Sequence, residues 1–462
     1  MPLLSKNFPH LSRIVFEMRR VYRKLFSVQE IESSSQLQWM LGASLLYLFF
    51  TFNNWAGNTS VTVEAAQQGR AVCWPYFQHC SDYFFLHMLP YGYSQTIFYM
   101  VLYGVMMLIV WAMWRQKWTT AHALYALLIL WEMAVVYVFS FQSAAPYHYY
   151  HIILGLMLIF ASHKEFFLKL SFVLMYFLSA TTKIDSTWIL GSYFTSLENG
   201  LPIFPGWSTP LLTNAVMFMQ MIGSWFLISK RAALRHIAFV YFMFFHFYSG
   251  VFVLYEYPTV TLPTLAVLFG PMYRYTPIPF GRKTIVGWVI LVIVCAVQAL
   301  GFIAPGDRRI TMEGNKFGMF MFEANHQCAV TITSYTDTKV SSSTPGFAPD
   351  GCSGQYCHTR STSKRTAGIL ARTDVYESGS SWNRCYPYIW WSKLHLQCGL
   401  RPGLTRVALR IDHSINGGPF YRIVDEPDVC SLSYLPFGPN SWIKSPPEAP
   451  AIGLPVRNAY HY

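Results

Sequence analysis

The strongest constraint on the fold is a series of apolar segments that recurs through the first 305 residues. Each segment approaches the roughly 20 apolar residues that a helix needs to cross the hydrocarbon layer of a membrane. Hydrophobic residues make up 53% of the chain and charged residues only 12%, a composition typical of membrane proteins. The candidate spans are 37–54, 94–114, 119–140, 150–162, 166–182, 211–228, 236–256, 258–272 and 284–304.

These segments predict a polytopic α-helical membrane protein with about eight or nine spans. The fourth and eighth segments are short, so they are expected to be tilted or to cross the bilayer only in part. A second region, rich in cysteine and without segments of this kind, follows them. The fold class is therefore a helical membrane domain followed by a small, disulfide-rich, mainly β extracytoplasmic domain.

Charged residues indicate how the spans are oriented. The net charge is +12, and most basic residues outside the C-terminal region lie in connections on one side of the membrane. The other side has few besides Arg70 and Lys183. The positive-inside rule predicts a cytosolic N-terminus and a lumenal or periplasmic C-terminal region, in the endoplasmic reticulum membrane of a eukaryote or the plasma membrane of a bacterium. Membrane lipid is an expected partner, and nucleic acid is not.

The chain divides into four regions. Residues 1–36 form a basic cytosolic segment without the cleavage site of a signal peptide, and 37–304 form the transmembrane domain. From 305 to 442, aromatic and β-branched residues, Pro-Gly and Gly-Gly turns and the lack of a long apolar helix predict a mainly β domain. The Pro-rich tail, 443–462, either lies along this domain or is disordered.

Eight of the nine cysteines fall in segments that this topology places outside the cytosol, while Cys295 lies in a span. An even number of outward cysteines predicts up to four disulfides in an oxidising compartment. A zinc site is the alternative, but Cys352 and Cys357 lack a matching second pair, so no metal is predicted. Asn58 begins a glycosylation sequon that a eukaryotic source could use. The candidate disulfide residues are Cys73, Cys80, Cys328, Cys352, Cys357, Cys385, Cys398 and Cys430.

The segment Ser171–Phe194 places Lys183 and Asp185 at the end of an apolar helix. A charge in or near the hydrocarbon layer costs at least ~2.5 kcal/mol on insertion scales, which favours a functional role. In an apolar pocket a lysine amine is neutral for part of the time and can act as a base. The alternative is structural: Lys183 pairs with Asp185 or another outward carboxylate, or extends its amine to the membrane interface.

Other polar residues inside apolar segments are further candidates. His148, His151 and His246 could donate a hydrogen bond to a ligand oxygen or stabilise an oxyanion, and each could equally be a polar packing residue. Glu132 is a carboxylate within a span, and Tyr176 lies two helical turns before the lysine. Aromatic residues make up 18% of the chain, enough to line a quinone or lipid pocket, although interfacial belts also account for them.

Residues Tyr176–Trp188 read YFLSATTKIDSTW, a Tyr-Phe helix that leads into Lys-Ile-Asp and then Trp. Phe245-His246, the helix break at Tyr257-Pro258, and Val72-Cys73 with Pro75 complete the pattern. In order and spacing it resembles the vitamin K-dependent γ-glutamyl carboxylase and the wider HTTM (horizontally transferred transmembrane) family. The likeness covers about residues 40–315.

The resemblance implies a chemical role for Lys183. In the carboxylase the corresponding lysine is assigned as the base that deprotonates reduced vitamin K. O2 then converts the quinol into a strong base, and the resulting glutamate carbanion takes up CO2. The resemblance implies that Lys183, His246 and His148 are catalytic, with reduced vitamin K or a related quinol as cofactor and O2 and CO2 as co-substrates. It also implies a pocket that includes Tyr176, Trp188, Asp185, His151 and Glu132, and a bridge from Cys73 to the C-terminal domain.

The sequence departs from the carboxylases at several positions. Ala145 and Tyr147 replace a Trp and an Asn before the histidine, and Asn315–Phe322 lacks the Trp and Arg of the family's aromatic strand. Two function classes follow. One is a quinol-dependent, carboxylase-like enzyme of the carbon-carbon lyase class that modifies a peptide or protein at the outward membrane face. The alternative is a non-catalytic HTTM protein that binds, matures or exports a peptide or lipid partner. A transporter is less favoured, because paired inverted halves are not evident.

Overall fold

The structure, a computed structural model, has helices up to residue 316 and a disulfide-bonded antiparallel sheet after them. The predicted order of a helical region followed by a β-containing region is confirmed at this level. The described residues are 9–88, 94–141, 145–195, 200–252, 256–303, 306–316, 318–320, 325–337, 357–366, 369–379, 385–401 and 403–453.

The helical region is built from sixteen α-helices within the described residues, joined by short connections. The first eight are α1 (Pro9–Leu25), α2 (Val28–Ser33), α3 (Ser35–Phe50), α4 (Phe52–Gln67), α5 (Ser94–Trp114), α6 (Trp118–Ala134), α7 (Pro146–Phe160) and α8 (Lys164–Thr181). The next eight are α9 (Ser186–Ile189), α10 (Ser192–Thr195), α11 (Thr209–Phe218), α12 (Ser224–Phe226), α13 (Ala232–Phe252), α14 (Glu256–Phe269), α15 (Ile285–Leu300) and α16 (Arg308–Thr311).

Within the described residues, three helical segments are long and apolar enough to cross a membrane: Thr96–Trp114, Trp118–Phe139 and Arg282–Leu300. Other candidate spans are shorter, interrupted or, like the 21-residue α13, less apolar. The segment 37–54 is divided between α3 and α4, and α14 has only 14 residues with Pro263 inside it. The count of eight or nine spans therefore stays a prediction.

Within the described part of the chain, two helices contain a π-helical turn, in which one extra residue widens the helix and redirects the side chains. The first turn, Val135–Phe139, extends α6. The second, Met219–Gly223, joins α11 to α12. Such turns are frequent at functional sites, and the second one contributes to the site described below.

The C-terminal region is a six-stranded antiparallel sheet with the strand order β2-β3-β1-β4-β5-β6. In the central strand, Ile332 pairs with Asp374 of β3 and Leu409 of β4. Alternate residues of β1 are buried, so one face of the sheet is directed to a core. The strands are β1 (His326–Asp337), β2 (Cys357–Thr366), β3 (Ile369–Gly379), β4 (Leu404–Ile415), β5 (Phe420–Glu426) and β6 (Ala451–Ile452).

One feature of this region corrects the sequence prediction. A 14-residue helix, α17 (Pro387–Leu400), packs against β4 in a domain expected to be without one. Its aromatic residues favour a strand by composition, but Pro387 at the first turn and the buried Trp390 and Leu394 suit a helix start and a packed helical face. In the tail, β6 pairs with β5. Of the two alternatives for the tail, residues 443–453 lie along the domain, and 454–462 fall outside the described residues.

Three disulfides are present among the described residues: Cys73–Cys80, Cys328–Cys385 and Cys398–Cys430. Cys295 is a free thiol. The implied bridge from Cys73 to the C-terminal domain is wrong, because its partner lies seven residues along the same segment. Cys352 and the side chain of Cys357 lie outside the described residues, as does the side chain of Asn58, whose backbone belongs to α4.

Candidate functional site

A largely apolar cavity of about 170 Å³ lies among α7, α8, α11, α13, α14 and the segment between α8 and α11. Its walls are mainly aromatic and aliphatic, and a small number of polar groups project from them, which is the usual composition of a small-molecule site. The polar or ionisable lining residues are Tyr150, Tyr176, Lys183, Thr213, Gln220, Tyr241, His246, Tyr248, Ser249, Tyr257 and Thr261.

Lys183 is the second residue after α8, next to the C-cap Thr182, where the sequence changes from apolar to hydroxyl residues. The hydroxyl of Thr182 donates to the carbonyl of Ser179 at 2.7 Å, which satisfies a carbonyl of the last helical turn. The lysine side chain is buried at the cavity wall. Its Nζ donates to Gln220 Oε1 at 3.0 Å and lies 5.4 Å from the centroid of the Trp188 ring. The predicted residues Lys183 and Trp188 therefore meet at the cavity.

Gln220 is a functional candidate that the sequence analysis does not identify. It is buried and belongs to the π-helical turn Met219–Gly223. Because a π turn adds a residue, it alters which side chains face the neighbouring helix, and here Gln220 reaches the amine of Lys183. The only sequence signal is an amide side chain within the apolar segment 211–228, which also contains Asn214, and it does not specify the direction of the side chain.

His246 and Tyr176 form the second polar group of the cavity. His246 lies in α13, and its Nε2 is hydrogen-bonded to the hydroxyl of Tyr176 in α8. The Tyr176 ring stacks on Phe242, with centroids 4.4 Å apart, which fixes the hydroxyl toward the histidine. His246 is buried, and its Nδ1 has no hydrogen-bond partner among the described residues. A buried ring nitrogen without a partner is suited to a ligand hydroxyl.

Asp185 has a structural role instead of its expected place in the pocket. One oxygen accepts a hydrogen bond from the Thr187 amide at 2.7 Å and so caps α9, and the carboxylate lies 2.8 Å from Nη1 of Arg309. Arg309 also binds Asp307. Burial alone would raise the pKa of the Asp307 carboxyl, but Arg309 holds it below its usual value. These contacts join the end of α8 to the beginning of the C-terminal region.

Glu132, His148 and His151 form a separate buried cluster. His148 Nδ1 lies 2.9 Å from Glu132 Oε1, and His151 Nδ1 lies 2.7 Å from Glu132 Oε2. His148 also contacts the hydroxyl of Tyr47 at 2.9 Å, and His151 contacts the hydroxyl of Ser44 at 2.6 Å. The described residues that line the cavity do not include these three, so the structure does not bring His148 together with Lys183 and His246.

The cluster and the cavity are separated by tyrosines. Tyr257 lines the cavity, and its ring lies 5.7 Å from that of Tyr147, which in turn lies 4.6 Å from the His148 ring.

Among the described residues, no group of three or more His, Cys, Asp or Glu side chains has the geometry to hold a metal ion. Glu132, His148 and His151 instead form a hydrogen-bonded cluster that connects α6 with α7 and, through Ser44 and Tyr47, with α3.

The fold and the site define a mostly helical, disulfide-bonded protein with apolar helices of membrane-crossing length and an internal apolar cavity. No family model, curated protein or solved structure matches the chain.

Proposed function

We propose that this protein is a quinol-dependent, carboxylase-like membrane enzyme in which Lys183 is the base. The observation that supports the proposal most is convergence at one cavity. Tyr176, Lys183 and Trp188 come from one segment and His246 from α13, and all four line the cavity. These are residues that the family resemblance groups together, and their placement does not depend on that resemblance.

The cavity suits a quinol better than a strongly polar ligand. Its aromatic walls match a flat ring, and its polar groups include two hydrogen-bonded pairs, Lys183 with Gln220 and His246 with Tyr176. A quinol carries two hydroxyls, one on each side of its ring. The unpartnered Nδ1 of His246 could bind one hydroxyl, and the Lys183 amine the other. A bound quinol would supply an acidic hydroxyl and reducing equivalents for O2.

Lys183 would accept the quinol proton at Nζ. A lysine performs this step only from its neutral form, which an apolar environment favours. Gln220 Oε1 accepts a hydrogen from Nζ in either protonation state, so it can hold the amine in position before and after proton transfer. The aromatic wall would exclude water, which strengthens each polar contact inside the cavity.

The proposal includes a membrane topology of eight or nine spans with a cytosolic N-terminus and a lumenal or periplasmic sheet domain. The three helical segments of membrane-crossing length support it, together with three disulfides in and beside the domain. Large apolar side chains are also exposed along α13, including Phe244 and Phe247. The substrate to be modified would be a peptide or protein at the outward face.

One observation favours the non-catalytic alternative, in which the protein binds a peptide or lipid partner. The Trp188 ring beneath Nζ stabilises the ammonium form through a cation-π contact, and an ammonium cannot act as a base. A charged Lys183 would still bind an oxygen-bearing ligand. The two functions differ in whether the protein oxidises a quinol.

The test is O2-dependent oxidation of a reduced short-chain vitamin K by the purified full chain in nanodiscs. We expect turnover by the wild type and a loss of at least ~100-fold in Lys183→Ala, the usual effect of removing a general base. Lys117→Ala, a change at an exposed lysine outside the cavity, should retain wild-type turnover. No oxidation of the quinol by the folded, disulfide-intact wild type would contradict the quinol-dependent function and favour the non-catalytic alternative.

A further inference from the structure

The segment 186–211, between α8 and α11, has an unusual surface for a connection expected on the aqueous side. Trp207 is 80% exposed, Ile203 71% and Leu190 66%. Ile189 and Leu211 are exposed as well. The segment contains a single charged residue, Glu198, which lies outside the described residues. Exposed aromatic and aliphatic side chains with almost no charge are typical of a surface that contacts lipid or another protein.

Hydrogen bonds place the first half of the segment beside α11 and not beyond its end. The Asn214 amide donates to the carbonyl of Ile189 at 2.8 Å, and the Thr213 hydroxyl donates to the carbonyl of Trp188 at 2.7 Å. Thr213 and Asn214 are four and five residues into a helix that begins at Thr209. At 1.5 Å per residue, α9 therefore lies about 6–7.5 Å below the outward end of α11.

The second half of the segment is fixed at a similar depth. The hydroxyl of Tyr248 donates to the carbonyl of Pro202 at 2.7 Å. Tyr248 lies four residues before Phe252, where α13 ends, which corresponds to about 6 Å along the helix. Both halves of the segment are thus hydrogen-bonded to α11 or α13 about one helical turn from the outward end of that helix.

The exposed side chains of the segment continue an apolar surface on these helices. Phe218 of α11 is exposed, as are Phe244, Phe247 and Val251 of α13. Phe244 also lines the cavity, so this surface reaches the cavity wall. If α11 and α13 cross the bilayer, this surface faces lipid, and a segment joined to it 6 Å below the helix ends meets the same lipid.

We propose that residues 186–195 and 200–211 lie in the outward interfacial layer of the bilayer, with Leu190, Ile203 and Trp207 inserted among the lipids. Interfacial segments typically bury an apolar face about 5–10 Å into the boundary between headgroups and acyl chains, and tryptophan is enriched there. The proposal depends on the membrane topology proposed above but not on quinol chemistry. Trp188 and Phe204 of this segment line the cavity. The outward wall of the cavity therefore lies in the membrane interface.

The experiment introduces one cysteine at a time into the full chain with Cys295, Cys352 and Cys357 replaced by serine, reconstituted in nanodiscs of phosphatidylcholine. Trp207→Cys and Ile203→Cys report on the segment. Val292→Cys is a lipid-facing control, because Val292 is exposed on α15, one of the three helices long enough to cross a membrane. Lys364→Cys, on an exposed position of β2, is the aqueous control. We measure the rate of reaction with a membrane-impermeant maleimide.

We expect Trp207→Cys and Ile203→Cys to react at least tenfold more slowly than Lys364→Cys, and a fluorophore at either position to be quenched by brominated lipid. Rapid reaction at both positions with Val292→Cys protected would overturn the interfacial placement alone. Rapid reaction at Val292→Cys too would overturn the topology. Protection of the segment without lipid quenching would mean that protein covers it, which also contradicts the proposal. None of these results depends on quinol oxidation.

Discussion

At the scale of single residues, the site depends on how the amine of Lys183 is held. Gln220 Oε1 accepts from Nζ at 3.0 Å, and the Trp188 ring lies 5.4 Å from it. The amide orients the amine without adding charge, whereas the ring favours the ammonium form. Base chemistry requires the amine to be neutral for part of the time, so a neutral acceptor such as glutamine suits that role.

Two substitutions of Gln220 should separate its effect on the orientation of the Lys183 amine from its effect on the charge of that amine. Gln220→Leu removes the acceptor and should lower quinol oxidation about tenfold, because the amine loses one fixed orientation. Gln220→Glu keeps an acceptor but adds a negative charge that favours the ammonium form, so its activity should fall further and its pH profile should move to higher pH. The measurement is the rate of quinol oxidation between pH 6 and 10. Equal rates and superimposed profiles in all three proteins would show that Gln220 does not position the lysine.

At the scale of secondary-structure elements, a histidine pair joins the sheet to the helical region. His326 of β1 and His413 of β4 are both buried, with His326 Nδ1 3.0 Å from His413 Nε2. His413 Nδ1 donates to the carbonyl of Ile310 in α16 at 2.6 Å. Because burial disfavours the imidazolium, the pKa of His413 falls to about 4, although the Ile310 carbonyl opposes the shift. Burial, His413 and then Arg309 lower the pKa of His326.

This pair predicts a loss of stability in acid. The unfolded chain binds a proton at His413 near pH 6.5, whereas the folded chain does so only near pH 4. Between these values the unfolded state holds more protons, so the free energy of unfolding is highest above pH 6.5 and decreases by up to ~3 kcal/mol as pH falls to 4. The neighbouring charges, Arg309 and Asp307, stay ionised through most of this interval.

The measurement is the thermal unfolding midpoint of the disulfide-intact full chain from pH 7.5 to 4. His413→Gln keeps a polar side chain but does not titrate, so its midpoint should depend less on pH than that of the wild type. His79→Gln, at an exposed histidine, is the matched control and should follow the wild-type curve. A His413→Gln curve parallel to that of the wild type would contradict the assignment.

At the scale of the whole molecule, the sheet and the helical region share a core. Trp74, Phe141 and Ile152 pack in one cluster with Tyr388 and Trp391 of α17. The hydroxyl of Tyr388 donates to the carbonyl of Cys73 at 2.7 Å, and the amide of Gln78 donates to the carbonyl of Tyr434 at 3.1 Å. The sheet domain is therefore fixed to the helices rather than joined by a flexible linker.

Much of this arrangement is readable from the sequence, because it depends on local patterns. Apolar blocks predict the helices, and a lysine at the end of such a block marks the cavity. The contribution of Gln220 depends on a π-helical turn, and the pairing of Cys73 with Cys80 depends on the path of one loop. Likewise, α17 forms where composition suggests strands, since its aromatic face packs on a sheet that only the complete fold provides. These features depend on tertiary packing, which local sequence patterns do not predict.

The most direct test of the central claim is to locate bound quinone on the protein. A photoreactive short-chain quinone is cross-linked to the full chain in nanodiscs, and its adducts are mapped with and without excess unmodified quinone. We expect the competed adducts on cavity-lining residues of α8, α11 and α13, such as Tyr176, Val216 and Phe245. Competed adducts confined to helices away from the cavity, such as α5 and α15, or no competed adducts at all, would contradict the assignment of the Lys183 cavity as a quinol site.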